Sequence, residues 1–223
     1  MKRVVSWLLL GGLSLALAGC GIFGGTKTPP DRYYSLPHKD PAKVLSRPVL
    51  NGVLAVERLQ ADTLRDDTHL LYVISDRPLE ITKHDYRYWT NSPTILVQQR
   101  FYTYLNKARF AKRVMRYDPA IKADYLLRAR LQNFERLVSP QKLEVLVSVE
   151  ITVVKYNGDV VFAPVAYTER LEYPRGGTAD ETIHTSVKTF ERALRRILDR
   201  FISDFSSPKR GKKKAKKRPA RKH

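Results

Sequence analysis

The chain has 223 residues and a formal net charge of +19 at pH 7, which would favour nucleic-acid binding if the chain were cytosolic. The charge is concentrated: of 41 basic residues, ten lie in residues 208–223 and two in the first three positions. The other 29 basic residues outnumber the 22 acidic residues of the whole chain by 7. The roughly 175 residues between the two ends suffice for one domain with a core and exclude two domains of ordinary size.

The first nineteen residues resemble the signal peptide of a bacterial lipoprotein. A basic start precedes an apolar run at residues 4–17, shorter than the about 20 residues that cross a bilayer. Small residues lead to Cys20, as in the lipobox, so we expect cleavage after Gly19 and a diacylglycerol and an N-acyl chain on Cys20. Gly21, where inner-membrane lipoproteins carry aspartate, implies the periplasmic face of the outer membrane. The alternative is an ordinary secretory signal with a coincidental cysteine.

Two segments flank the predicted domain. Residues 20–30 carry the lipidated cysteine and a Gly- and Pro-rich tether. Residues 207–223 form a Lys/Arg-rich tail that we expect to be disordered, since like charges interrupted by Gly and Pro bury no apolar surface. The tail is either a solvated extension or a contact for anionic lipid, lipopolysaccharide or an acidic partner. No nucleic acid is expected, because the leader directs the chain out of the cytoplasm.

The first half of the domain predicts short strands and one helix. Alternating residues indicate strands at 32–37 and 49–59, and the turn at 76–78 predicts a hairpin between strands at 70–75 and 79–83. Ser92 then offers a capping side chain before Pro93. The helical spacing of the apolar residues that follow predicts an amphipathic helix of about four turns; they are Val97, Phe101, Tyr104, Leu105 and Ala108.

The second half predicts three long strands and a final helix. Strict alternation marks strands at 124–138, 143–156 and 160–173, and Asn157-Gly158 predicts a tight hairpin, because both residues tolerate positive φ. We expect an antiparallel meander with one buried and one solvated face, and an edge position or a bulge at Pro164. An apolar stripe at 180–205 predicts a helix on the sheet, with Glu191 among the charges outside the stripe.

The expected fold is therefore α+β. One domain at residues 31–206 has an antiparallel or mixed β-sheet whose long C-terminal strands are covered by two amphipathic helices.

Motifs for catalysis are absent from the sequence. Five histidines are widely spaced, with no metal-binding motif, no Gly-rich phosphate loop and no GxSxG elbow. We therefore expect no metal site and no enzymatic activity. A hydrolase stays a third option, with Asp66, Asp67 and Asp76 as acidic residues in predicted loops.

Several short motifs occur in a defined order. They are the residues Tyr33-Tyr34-Ser35-Leu36-Pro37, Leu71-Tyr72, and Tyr86-Arg87-Tyr88-Trp89 followed by Pro93 and a helix. Together with the lipobox, they resemble the ABC-type transport auxiliary lipoproteins, the paraquat-inducible protein C-like components of MCE-domain lipid transporters. The likeness spans about residues 33–205. The chain departs from the family in having Tyr88 where arginine is usual, and in its lysine-rich tail.

The resemblance implies a non-catalytic outer-membrane lipoprotein, with no cofactor beyond the acyl chains on Cys20, that docks an MCE-domain protein of an ABC lipid transporter. Trp89, Tyr88 and Tyr86 are the candidate partner contacts, and a structural role at the helix entry is the alternative for Trp89. The rival function is an envelope-assembly, cell-wall-binding or lipopolysaccharide-binding lipoprotein that uses its basic tail. The oligomeric state stays open, a homo-oligomer included.

Overall fold

A computed structural model describes residues 28–37 and 39–207. The leader, Cys20 with its neighbours Gly19 and Gly21, most of the tether and tail residues 208–223 lie outside these ranges. The predicted α+β class is confirmed, and the elements run as follows: β1 Arg32–Tyr34, β2 Leu50–Val56, β3 His69–Ile74, β4 Thr82–Trp89, α1 Pro93–Lys107, β5 Ala111–Arg116, β6 Tyr125–Val138, β7 Leu143–Lys155, β8 Val160–Tyr173 and α2 Ala179–Ser206.

The sheet divides at β6. Along one edge β6 pairs antiparallel with β7, which pairs antiparallel with β8, so the predicted meander is confirmed. Along its other edge, the start of β6 pairs in parallel with β2 and its end in parallel with β3. β5 extends the β2 branch, and β4 and then β1 extend the β3 branch. The short basic strand β5 was missed, because only Ala111 and Val114 are buried in it and no alternation results.

Burial of the inner sheet face holds the domain together. The inward residues of β7 are fully buried; they are Val145, Val147, Val149, Ile151 and Val153. The stripe of α2 lies in the same core, and its buried members are Ile183, Val187, Phe190, Leu194, Ile197 and Phe201. Full burial of one such side chain contributes roughly 1.5–3 kcal/mol, so this contact is a dominant source of stability.

The opposite sheet face is less solvated than the alternation indicated. Ser148 is buried there and hydrogen-bonds to the side chains of Gln132 and Thr168. Glu144 is also buried and accepts from Lys142 at 3.1 Å and Arg170 at 2.7 Å. Neighbouring polar side chains on the same face therefore cover each other from solvent.

The β7–β8 hairpin and Pro164 show how local chemistry shapes the meander. Gly158 has a φ of 94°, whereas Asn157 keeps a negative φ and its side-chain oxygen accepts from the Asp159 N–H instead. The hairpin predicted at Asn157-Gly158 is therefore confirmed, and only Gly158 uses the positive φ that both residues tolerate. Pro164 lies in β8, which pairs only with β7 among the described strands, at a register shift where Ile151 and Val153 pair with Val165 and Phe162. Both expectations for Pro164 are confirmed.

The predicted helix α1 is confirmed, but its N-terminal cap is not. The Ser92 side chain makes no capping hydrogen bond, because its hydroxyl lies 3.3 Å from the Thr94 hydroxyl instead. The C-terminal end is a Schellman motif, in which Phe110 N–H donates to Leu105 O and Arg109 N–H donates to Asn106 O. Arg109 has a φ of 57°, the left-handed conformation that glycine usually supplies at this position.

A buried ion pair joins the two helices. Arg100 of α1 donates to Glu191 of α2 at 2.8 Å, and their side chains are 1% and 3% exposed. The Arg100 guanidinium also lies over the Tyr104 ring, 4.7 Å from its centroid. Glu191 thus lies outside the apolar stripe, as expected, but it is buried, since α1 brings a cation to that side of α2.

We predict that Arg109→Gly stabilises the protein by about 1 kcal/mol, because a residue with a Cβ in this conformation costs roughly 1–2 kcal/mol and glycine's larger unfolded-state entropy returns part of the gain. Urea denaturation measures the free energy of unfolding. Arg109→Ala, which also removes the exposed side chain but keeps the Cβ, is the matched control and should not stabilise. Equal effects of the two substitutions would contradict the assignment of strain to the backbone.

Candidate interaction surface at the β1–β4 edge

A large bulge in β4 shapes this end of the sheet. Leu71 of β3 pairs with Lys83 and His69 pairs with Tyr88, so four residues of β4 face one residue of β3. Tyr86 lies in the bulge with a φ of 57°. A left-handed tyrosine costs about 1–2 kcal/mol, which the surrounding contacts must offset. Such bulges turn side chains in new directions, and Tyr86 lies within this one. Tyr88 and Trp89 follow it and point to opposite faces, as consecutive residues of a strand do.

Trp89 lies in the core. Its side chain is 2% exposed, and its ring centroid is 5.3 Å from that of Phe134 and 5.4 Å from that of Phe190. It therefore packs the sheet against α2. The expectation that Trp89 contacts a partner does not fit this position, because a docking protein cannot reach the ring.

Tyr88 points to the other side of β4. β1 pairs with β4 in parallel, Tyr33 beside Tyr88, and the two rings stack with centroids 5.4 Å apart. The His69 ring tilts against Tyr88 at 4.6 Å. Tyr33 is 64% exposed. We call Tyr33, His69 and Tyr88 the aromatic patch; Tyr86 lies near it in the sequence and is half-buried.

Sequence reasoning named Tyr88 but missed His69 and the role of Tyr33. His69 lies nineteen positions before Tyr88 in the chain, and only the bulged register of β3 and β4 brings the rings together. Tyr33 belongs to the first motif of the family resemblance, and this is the sequence signal that could have indicated it. The first motif forms β1, which pairs with the strand that the last motif forms.

Hydrogen bonds to Asp67 hold the His69 ring of the aromatic patch in place. Asp67 accepts hydrogen bonds from the His69 backbone N–H at 2.9 Å, from His69 Nδ1 at 2.6 Å and from Lys83 Nζ. Burial raises the pKa of Asp67, but the hydrogen bonds from Lys83 and His69 outweigh it and hold that pKa well below its usual range. The Asp67 carboxylate therefore orients the His69 ring against Tyr88.

The inner side of the bulge is strongly basic. Arg87 pairs with Asp180 at 2.6 Å, and Arg32 of β1 pairs with the same carboxylate at 2.7 Å. His84 accepts from Arg136 at 2.5 Å. Burial, followed by the charges of Arg136 and Arg87, lowers the pKa of His84 to about 4, so its ring is neutral at neutral pH.

Among residues 28–37 and 39–207, no group of three His, Cys, Asp or Glu side chains could hold a metal ion. No helix within those ranges is long and apolar enough to cross a membrane.

Comparisons with solved structures show the fold. No protein-family model and no curated protein matches the chain. The crystal structure of XCC0632 from Xanthomonas campestris, described as a member of family DUF330, matches with a TM-score of 0.61 at 16% identity, over 77% of this chain and 92% of that one. The structure of an uncharacterized protein matches with a TM-score of 0.61 at 16% identity, over 80% of this chain and 100% of that one.

A third match is a minor lipoprotein from Acinetobacter baumannii, at 11% identity over 68% of this chain and 93% of that one. Its TM-score of 0.37 is too low to support an argument about this chain. The two stronger matches show that the chain shares its α+β fold with XCC0632 and the uncharacterized protein, and at 16% identity they show the fold alone.

We predict that His84 makes the protein sensitive to mild acid. Because the folded state lowers its pKa, the unfolded chain binds the proton more readily, and stability falls as the pH drops from about 6.5 through about 4. The loss should be roughly 1–3 kcal/mol after allowance for partial exposure. His84→Gln keeps an acceptor for Arg136 and should flatten this part of the stability profile. His184→Gln, at an exposed histidine of α2, is the control and should leave the profile unchanged.

Proposed function

We propose that this chain is a lipid-anchored, non-catalytic envelope protein that serves as the auxiliary component of an MCE-type ABC lipid transporter. Acyl chains on Cys20 hold it to the periplasmic face of the outer membrane, and its domain docks the MCE-domain protein. A separate ATPase powers the movement of lipid between the inner and outer membranes.

The observation that carries the proposal is the convergence of the motifs that produce the family resemblance. Although they are spread over about sixty residues, β1 with Tyr33 and Tyr34 pairs with β4 beside Tyr88 and Trp89, and β3 with Tyr72 pairs with the start of β4. α1 begins at Pro93, four residues after Trp89. Motifs that fold into one region are better explained as parts of one structural unit than as unrelated coincidences in the sequence.

The aromatic patch suits a docking surface. Its stacked rings are partly exposed, and aromatic side chains are enriched at the energetic centres of interfaces. β1 has no neighbour on its outer side among the described strands, so its free edge can accept a further strand. The position of Tyr88 thus supports the partner contact expected from the sequence. The buried Trp89, the next residue along β4, holds Tyr88 in place.

The lipid anchor follows from the leader. Each buried methylene contributes about 0.8 kcal/mol, and two or three acyl chains make anchoring effectively permanent. Gly21 supports sorting to the outer membrane, and residues 21–30 are long enough to hold the domain up to roughly 35 Å from the lipid.

The first experiment is crosslinking of the lipidated full-length protein in membranes, followed by identification of its partners by mass spectrometry. We predict that an MCE-domain protein is recovered and that a Tyr33→Ala, Tyr88→Ala double variant recovers at most about a tenth as much, because two interface aromatics typically contribute more than 1 kcal/mol. Tyr156→Ala removes a similarly exposed tyrosine, at 61%, from the β7–β8 hairpin and should not matter. Recovery of no MCE-domain protein would reject the proposal.

A second candidate function rests on the tail, which has ten basic residues and no acid in residues 208–223. Such a segment favours an envelope-assembly protein that binds cell-wall polymer or lipopolysaccharide through charge. Deletion of residues 208–223 separates the two. Partner recovery that survives both the deletion and high salt supports docking by the domain, whereas loss of retained lipopolysaccharide or cell-wall material on deletion supports the second function.

A further inference from the structure

A pocket of about 490 Å³ opens beside the first turn of α2. The bulge of β4 supplies His84, Asp85 and Arg87 to its wall, and the end of β6 supplies Arg136. The segment before α2 closes it with Arg175 and the following residues. Three of these side chains are guanidinium groups, brought together from three parts of the chain.

Arg136 is the unusual member. It is 4% exposed, its Nε donates to the Tyr173 hydroxyl at 2.7 Å, and its Nη1 donates to His84 Nε2 at 2.5 Å. Among the residues that the structure describes, no carboxylate lies within 4.0 Å of its guanidinium and no partner accepts from its Nη2. A guanidinium remains charged at all physiological pH values, so its charge is buried beside neutral acceptors only.

The contrast with Arg100 shows what is missing. Arg100 is 1% exposed and leaves its Nε and Nη1 without a hydrogen-bond partner, but it faces the carboxylate of Glu191 at 2.8 Å. A buried charge without an opposite charge costs several kcal/mol, and the ring of Tyr173, 5.8 Å from the Arg136 guanidinium, offsets only part of that.

Of the acids near the pocket, Asp180 and Glu181 are engaged elsewhere, whereas Asp85 is exposed. Asp180 is shared between Arg32 and Arg87, so two guanidinium groups face one carboxylate. Glu181 accepts from the Thr178 backbone N–H in the capping box of α2. Arg175 is exposed and donates to a backbone carbonyl oxygen, and the exposed Asp85 forms no ion pair with any described residue. The pocket therefore has a surplus of positive charge.

The remaining wall is apolar. Leu143 and Ile183 line the pocket and are buried, and Val138 lines it and is half-buried. An apolar wall lowers the local dielectric, which strengthens the attraction between the guanidinium groups and a bound anion.

We propose that this pocket binds a phosphate group, with Arg136 and Arg175 as direct donors and Arg87 as a third nearby cation. Two guanidinium groups can donate several hydrogen bonds to the oxygens of one phosphate and match its geometry. A bound phosphate supplies the negative charge that no described carboxylate gives to Arg136. The proposal rests on the geometry of the pocket and does not depend on the transporter role.

The test uses the lipidated full-length protein in a neutral detergent, with its tail intact. Two probes distinguish the sources of phosphate: inorganic phosphate, and dihexanoyl phosphatidic acid as a soluble lipid headgroup. Binding is followed by the methyl NMR signals of Val138 and Ile183, which report on the pocket and not on the tail. At least one probe should shift both signals in a saturable way, and the one that does identifies the source as free phosphate or lipid.

Arg175→Gln removes an exposed donor and should weaken binding about tenfold, the effect of one charge-assisted hydrogen bond. Arg136→Lys keeps the charge but not the forked donor and should weaken it similarly, with the fold checked by the remaining methyl signals. Arg113→Gln, at an exposed arginine of β5, is the control and should bind normally. Saturation of neither probe, or equal binding by all variants, would overturn the proposal.

Discussion

The structure depends on the burial of one face of the β6–β7–β8 meander. The inward valines of β7 have no solvent contact, and they keep this state only because α2 covers them along most of its 28 residues. A half-apolar sheet without such a cover would expose a large hydrophobic surface. The length of α2, its single apolar stripe and the length of the three strands are thus matched consequences of one requirement.

Placing α2 on the meander fixes what lies at its ends. Its first turn reaches the β1–β4 branch, where Asp180 pairs with Arg32 and Arg87. The preceding segment packs closely against this turn: the Gly176 N–H donates to the Thr182 hydroxyl at 2.9 Å, and a Cβ at Gly176 would come within 2.6 Å of the Cβ of Glu181. The basic pocket and the bulge of β4 are therefore consequences of the same packing that forms the core.

The sequence predicted those elements whose pattern repeats and missed those set by distant contacts. The alternation in β6, β7 and β8 and the stripe of α2 each extend over many residues, so local periodicity identifies them. The parallel pairing of β2 and β3 with opposite ends of β6 leaves no local trace, and β5 has too few buried residues to alternate. The burial of Glu191 was missed for the same reason, since Arg100 lies 91 positions away.

The candidate surface was predictable only in part. The motif at Tyr86–Trp89 identified the correct strand, but the bulge at Tyr86 and the pairing of β4 with β1 and β3, which decide what each side chain contacts, leave no local trace in the sequence. Trp89 turned inward to Phe134 and Phe190, while Tyr88 joined Tyr33 and His69 outside. A motif can thus locate a site while leaving open which of its residues touch a partner.

The two buried arginines, Arg100 and Arg136, differ in whether an opposite charge lies beside them. Between the helices, Arg100 receives a carboxylate from α2, and the pair serves to align two elements in the core. At the pocket, Arg136 donates to a tyrosine hydroxyl and to a neutral histidine. Asp180 of α2 pairs with two other arginines instead. If stability alone determined this position, an apolar residue of similar volume would serve better, because burying an unpaired charge is costly. The charge of Arg136 is therefore better explained by an anion that comes from outside the fold.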